Sequence, residues 1–188
     1  MPKNTKSLAP KPSWSAVRKQ LSTMEKPALL DLIKDLYQTS ASNKDFLNAR
    51  CLASDGDEAA LEPYRQKVIE PFYPKRGEAK LNLGEARKAI RQYRRATGDL
   101  PGTAELLLTY VENGVAFTNE YGDIDERFYS SIESALTELA DLLREEGKIL
   151  YQKFSKRLAK AERDTDGIGW GFHDFLADTV SELANHFR

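Results

Sequence analysis

Cysteine, histidine and methionine are nearly missing from this chain: one, two and two of them stand in 188 residues. The lone thiol, Cys51, closes no internal disulfide, and no Cys/His set has the spacing that structural zinc needs. A reducing cytoplasm is the expected setting. No run approaches the roughly 18 consecutive apolar residues of a membrane span. The first residues, MPKNTKSLAPKPSW, carry lysines and prolines without an apolar centre, so they do not read as a secretory signal. Alternation of apolar and polar residues at period two is absent, which argues against strands. No stretch matches a cofactor-binding motif, and none is expected to bind a metal, a cofactor or a membrane.

What is present is helical periodicity, in a chain that is 40% hydrophobic and 30% charged. The expected organisation is a disordered arm over 1–13 and one all-helical domain over 14–188. A domain of that length buries roughly two-thirds of its unfolded surface. Leu29, Leu30, Ile33, Leu36 and Tyr37 form a first stripe, with Ser22 and Glu25 as a capping box before it. A short helix carrying Phe46, Leu47, Arg50 and Cys51 follows, then one with Leu61, Tyr64, Val68 and Ile69. Pro63 should bend that helix or mark its first turn, and Pro71 should end it.

After the long connector PFYPKRGEAKLNLG, Asn82 and Glu85 signal another cap, and Leu83, Ala86, Ala89, Ile90, Tyr93 and Thr97 share one face. The next segment, Thr103 to Tyr121, has two apolar stripes and therefore neighbours on two sides, which makes it the central helix. Phe128, Ile132, Ala135, Leu136, Leu139, Leu142 and Leu143 give the strongest amphipathic pattern, and Gly147 is placed to cap it in the left-handed conformation. Leu150, Phe154, Leu158 and Ala161 mark the return helix, and Phe175, Leu176, Thr179, Val180, Leu183 and Ala184 the last. About eight helices with short links predict stacked antiparallel hairpins, as a bundle or a short α-solenoid.

A net charge of −1 conceals segregation. Residues 75–95 hold eight Lys/Arg against two acids, residues 99–147 twelve acids against two bases, and residues 148–163 six bases against one acid. Arg87, Lys88, Arg91, Arg94 and Arg95 lie on one face opposite the apolar stripe of their helix, and Lys75 and Arg76 extend that surface. Such a face repels itself unless neutralised. The neutraliser is the acidic block of the same chain, an acidic protein or second copy, or nucleic acid. Aromatic residues for base stacking are scarce there, so nucleic-acid binding would be directed at phosphates and steeply salt-dependent.

The stretch DTDGIGWGFHDF, residues 164–175, invites sharper readings. A calcium loop fails, because glycine arrives at position four and Phe175 occupies position twelve. A phosphate cradle is opposed by the flanking acids and by a preceding segment that is not a strand. A metal or general-base cluster of Asp166, His173, Asp174 and Asp178 is tested by helical phase: the last two share an exposed face, whereas His173 points elsewhere. As a plain turn, its glycines permit backbone angles that other residues resist, Trp170 and Phe172 pack it down, and His173 covers the rim.

Read together, LLDLIKDLYQTSASNKDFLNARCLA, ARKAIRQYRRATGD and DTDGIGWGFHDFLAD resemble an uncharacterised bacterial all-helical family of unknown function. The chain is also distantly similar to the helical tails that accompany SWIM-type zinc fingers, although one cysteine cannot supply the ligands of the finger itself. The resemblance implies a helical fold and no catalytic residue. The expectation is thus a non-catalytic cytoplasmic module that docks a protein partner, with homo-oligomers allowed. A nucleic-acid-associated protein binding phosphates through 75–95 is the alternative. A metal-dependent enzyme built on 164–178 is a second one.

Overall fold

The computed structural model describes residues 13–52, 58–169 and 171–188. Within them lie nine α-helices and no strand: α1 (Trp14–Leu21), α2 (Lys26–Thr39), α3 (Ala41–Leu52), α4 (Glu58–Ile69), α5 (Leu83–Thr97), α6 (Leu100–Tyr121), α7 (Glu126–Glu146), α8 (Lys148–Asp164) and α9 (Phe172–His186). The fold class is all-α, as the periodicity implies. Residues 13–44 and 45–188 form two compact units, a division inside the span read above as one domain. The arm expected at 1–13 lies outside the described residues, apart from Ser13, whose Oγ accepts from the Ala16 amide and caps α1.

In the larger unit α4 to α9 each pack on their neighbours in sequence, and α4 with α6, α6 with α8 and α7 with α9 also pack directly. α6 touches α4, α5, α7 and α8, while α7 also meets α9. Two buried stripes on α6 explain this central place. One holds Leu107, Leu108, Val111 and Val115, and the other Leu106, Tyr110 and Phe117. α6 starts earlier than its apolar pattern suggests because Asp99 caps it, accepting from the Gly102 amide at 3.0 Å, and Pro101 is tolerated in the first turn. At the crossing with α7, Gly114 gives up its side chain: a Cβ there would lie 1.8 Å from Ile132 Cδ1. The core stripes expected on α5, α7 and α8 are buried, save that Leu83 and Thr97 are only partly covered.

Several local signals resolve differently. Ser22 does not open a capping box: it closes α1, donating to the Lys19 carbonyl, while Glu25 precedes α2 without a side-chain cap bond. Asn82 stands at the N-cap of α5 but also makes no such bond; the entry is set by Leu81, held at φ 46° with the Leu83 amide donating to its carbonyl at 2.7 Å. Pro63 lies inside α4, past its first turn. Gly147 has the expected positive φ, 90°, but an extended ψ of −176°, because it must end α7 and admit α8 without an intervening residue.

The largest departure is in the smaller unit. The stripe Leu29, Leu30, Ile33, Leu36 and Tyr37, expected as core, contains no buried residue, and neither α1 nor α2 buries any side chain. No described helix is long and apolar enough to cross a membrane.

Candidate functional site

The basic face of α5 is only partly neutralised by the acidic block. Glu138 of α7 accepts from Arg87 Nη2 at 2.8 Å and stands 3.8 Å from Arg94 Nη1, so one carboxylate serves two guanidiniums. Arg87 also lies over the Tyr110 ring at 5.8 Å, and its buried Nη1 has no partner among the described residues. Among the described residues Lys88 reaches only Glu85, on its own helix, at 3.3 Å. Arg91 and Arg95 are exposed, and no described carboxylate lies within ion-pair distance of them. Lys75 and Arg76 are exposed in the connector, and the charge of Lys75 contributes to holding the Glu62 carboxyl low, behind the larger effect of its hydrogen bond from Gln66.

A concavity of about 420 Å³ opens beside this face, lined by Lys67, Arg76, Lys80 and Asn82 but equally by Glu70, Glu78 and Glu85. Lys67 is engaged by Asp45 at 2.7 Å. Alternating signs make a poor cradle for phosphate. On the second basic helix, α8, Arg157 and Lys160 are answered by carboxylates, whereas Lys153, Lys156 and Arg163 are exposed with no described carboxylate within ion-pair distance. Arg157 spends its whole donor fork on α6: Nε and Nη2 donate to Glu112 at 2.9 and 2.6 Å, and Nη1 donates to both oxygens of Glu105 at 2.8 and 2.7 Å. Lys160 pairs with Asp164.

The turn at 164–175 is built into the core. Thr165, fully buried, donates its hydroxyl hydrogen to the Glu162 carbonyl at 2.6 Å and lies 2.9 Å from His173 Nδ1. A hydroxyl has one hydrogen, so the second bond must be donated by Nδ1–H of His173. Asn119 at the end of α6 donates to the Asp164 carbonyl at 2.6 Å, and Asp123 accepts from Tyr129 OH at 2.9 Å and more weakly from the Gly169 amide at 3.4 Å. Phe172 is buried with its ring 5.3 Å from Tyr129.

Gly167 and Gly171 take φ of 81° and 71°, where other residues are strained. Asp166, Asp174 and Asp178 are exposed, and Trp170 lies outside the described residues. Among the described residues no three His, Cys, Asp or Glu are grouped to hold a metal ion. Asn119 and Asp123 were not legible as tethers, because the bonds they make span about 45 positions and no local spacing signals them.

A third surface lies where the apolar spacing of α2 predicts core. Of the exposed large hydrophobic residues among those described, seven belong to α1, α2 and the turn between them: Trp14 at 70%, Leu30 at 55%, Leu36 at 48%, and Val17, Met24, Leu32 and Ile33. α1 and α2 make no extended contact with each other. The sequence signal was the breadth of the α2 stripe, about 160° at 100° per residue, wider than one neighbour requires.

No known family model, no curated protein and no solved structure matches this chain.

Proposed function

We propose that this protein is a non-catalytic, cytoplasmic helical interaction module that binds another protein through α1 and α2. The observation that carries the reading is an amphipathic helix pair without one buried side chain. Helices of 8 and 14 residues are marginal in water, and in proteins their stability comes from packing an apolar face. A helix laid into a partner's groove, with anchors at i, i+3, i+4 and i+7, meets that need, and Leu29, Leu32, Ile33 and Leu36 have this spacing. Commitment of Thr165, His173 and Asp123 to holding a turn supports the absence of catalytic chemistry. Affinity capture from cell extract, compared between the native chain and Ile33→Asp and quantified by mass spectrometry, tests the reading. A protein retained near stoichiometry by the first and lost with the second is expected. Equal capture by both, or none by either, overturns it.

A second reading rests on the unpaired cations. Lys75 and Arg76 in the connector and Arg91 and Arg95 on α5 are exposed, with no described carboxylate within ion-pair distance, which favours phosphate binding. Fluorescence anisotropy with DNA and RNA oligomers over a salt series decides it. Binding with a steep salt slope that Arg91→Glu with Arg95→Glu removes would support it, and indifference to both nucleic acids at low salt would end it.

A further inference from the structure

The cations beside the apolar faces of α1 and α2 outnumber the acids there. On a helical wheel the apolar arc of α2 runs over about 160°, from Leu32 through Leu36, Leu29, Ile33 and Tyr37 to Leu30. Lys26 falls within that arc but at the first position of the helix, where it borders the end of the apolar face, and Lys34 lies about 40° beyond Leu30. Asp31 and Asp35 fall about 140–180° from its centre, on the far side. On α1, Arg18 borders the stripe of Trp14, Val17 and Leu21 in the same way. Lys44 adds a fourth cation, its Nζ 5.8 Å from the centre of the Tyr37 ring. None of Arg18, Lys26, Lys34 and Lys44 has a described carboxylate within ion-pair distance, and the remaining acid of the unit, Glu25, is the N-cap of α2. Over residues 1–26 the chain holds six bases against one acid.

Resting on the module reading above, we infer that the occupant of this face is a protein with an apolar groove rimmed by carboxylates. An apolar floor takes Leu29, Leu32, Ile33 and Leu36, and acids on its walls meet Arg18, Lys26, Lys34 and Lys44. Complementary rims steer encounter and penalise wrong partners. A second copy of this chain would bring the same four cations to the same rim, so self-pairing through this face is disfavoured. An anionic lipid surface fits less well. Helices that lie in a membrane interface crowd Lys and Arg on the polar face, whereas the polar face of α2 holds Asp31 and Asp35 and the helix carries no net charge.

The test uses the full chain. A benzophenone amino acid at Leu30 or Leu36 identifies the cellular adduct by mass spectrometry, and binding of that purified protein is then measured across a salt series. The expected result is that Lys26→Glu with Lys34→Glu weakens binding at least tenfold and flattens its salt dependence, while Ile33→Asp abolishes it. If Ile33→Asp abolishes binding but the charge reversal leaves affinity and salt slope unchanged, the acid-rimmed groove is overturned and the module reading stands. Adducts only between copies of the chain, or binding only to phosphatidylglycerol vesicles with none to protein, overturn the choice of occupant. Slow hydrogen exchange along α2 in the free monomer, with no adduct, overturns both.

Discussion

Single side chains in this protein carry two kinds of polar burden, satisfied and unsatisfied, and these respond to substitution in opposite ways. Tyr64 is buried with no hydrogen-bond partner for its hydroxyl among the described residues. Burial pushes its phenol up to about 12, with Asp45 adding to the shift, and Tyr73 is pushed up to about 12 by burial and by Glu120. A phenol whose folded value is raised stays protonated in the folded chain while the unfolded chain begins to ionise. That stability is complete below about pH 10 and is lost as pH rises from about 10 to 12. Urea midpoints across that window should fall, and Tyr64→Phe should flatten the fall. At pH 7 the same change should be neutral or stabilise by about 0.5–1 kcal/mol, since it removes an orphaned hydroxyl.

Arg157 is the opposite case. Its hydrogen bonds to Glu112 first and Glu105 second outweigh partial burial and hold its proton more firmly than usual. Arg157→Met leaves two half-buried carboxylates facing each other and should cost about 2–4 kcal/mol by chemical denaturation. Arg157→Lys keeps the charge but loses the fork, so about half that loss is expected. Adding Glu105→Gln to the Met variant should return part of it. No recovery would mean that Arg157 acts through packing alone.

At the scale of the element, helix crossings depend on where a side chain is missing. Gly114 allows α6 to meet α7 at Ile132. Gly114→Ala gains helix propensity of about 1 kcal/mol in isolation, but its methyl enters the space of Ile132 Cδ1, and overpacking typically costs about 1–3 kcal/mol. The expected net effect is destabilising. Ile132→Val removes the clashing methyl, so the double variant should be more stable than the sum of the two single changes implies, a coupling that a double-mutant cycle measures. An additive cycle would place the clash elsewhere.

The helices themselves, α5 to α9 above all, were legible from spacing, because α5 to α8 bury most of the stripe their sequence repeats, and α9 buries Leu176, Val180 and Leu183 while Phe175, Thr179 and Ala184 stay partly covered. Ends were less so. Glu25 and Asn82 mark caps by position but make no cap bonds, and the entry to α5 is fixed instead by the backbone turn at Leu81. Such bonds depend on the path of the chain around them, which residue type alone does not carry.

At the scale of the whole molecule, segregated charge proved to be partly an internal matter. The acidic block answers Arg87, Arg94 and Arg157 through Glu138, Glu105 and Glu112, and leaves Arg91 and Arg95 to solvent. Spacing placed all these residues on helix faces but could not say which faces meet, since every such pair joins residues about 45 or more positions apart. The same blindness explains why α2 and α7 read alike as amphipathic rods while only α7 is covered.

That difference is measurable with one substitution made twice. Ile132→Ala empties a fully buried site and should cost about 2–5 kcal/mol, lowering the melting temperature by roughly 4–20 °C for a chain of this size. Ile33→Ala removes the same atoms from a side chain 44% exposed, and a change within about 0.5 kcal/mol is expected in the free protein. Bound to a partner through α2, the complex should reverse the order of importance, with Ile33→Ala weakening association by tenfold or more while the melting temperature of the free chain stays put. A cost above about 1.5 kcal/mol for Ile33→Ala in the free chain would mean that α2 is already covered, and the surface offered for binding would have to be sought on the cations of α5.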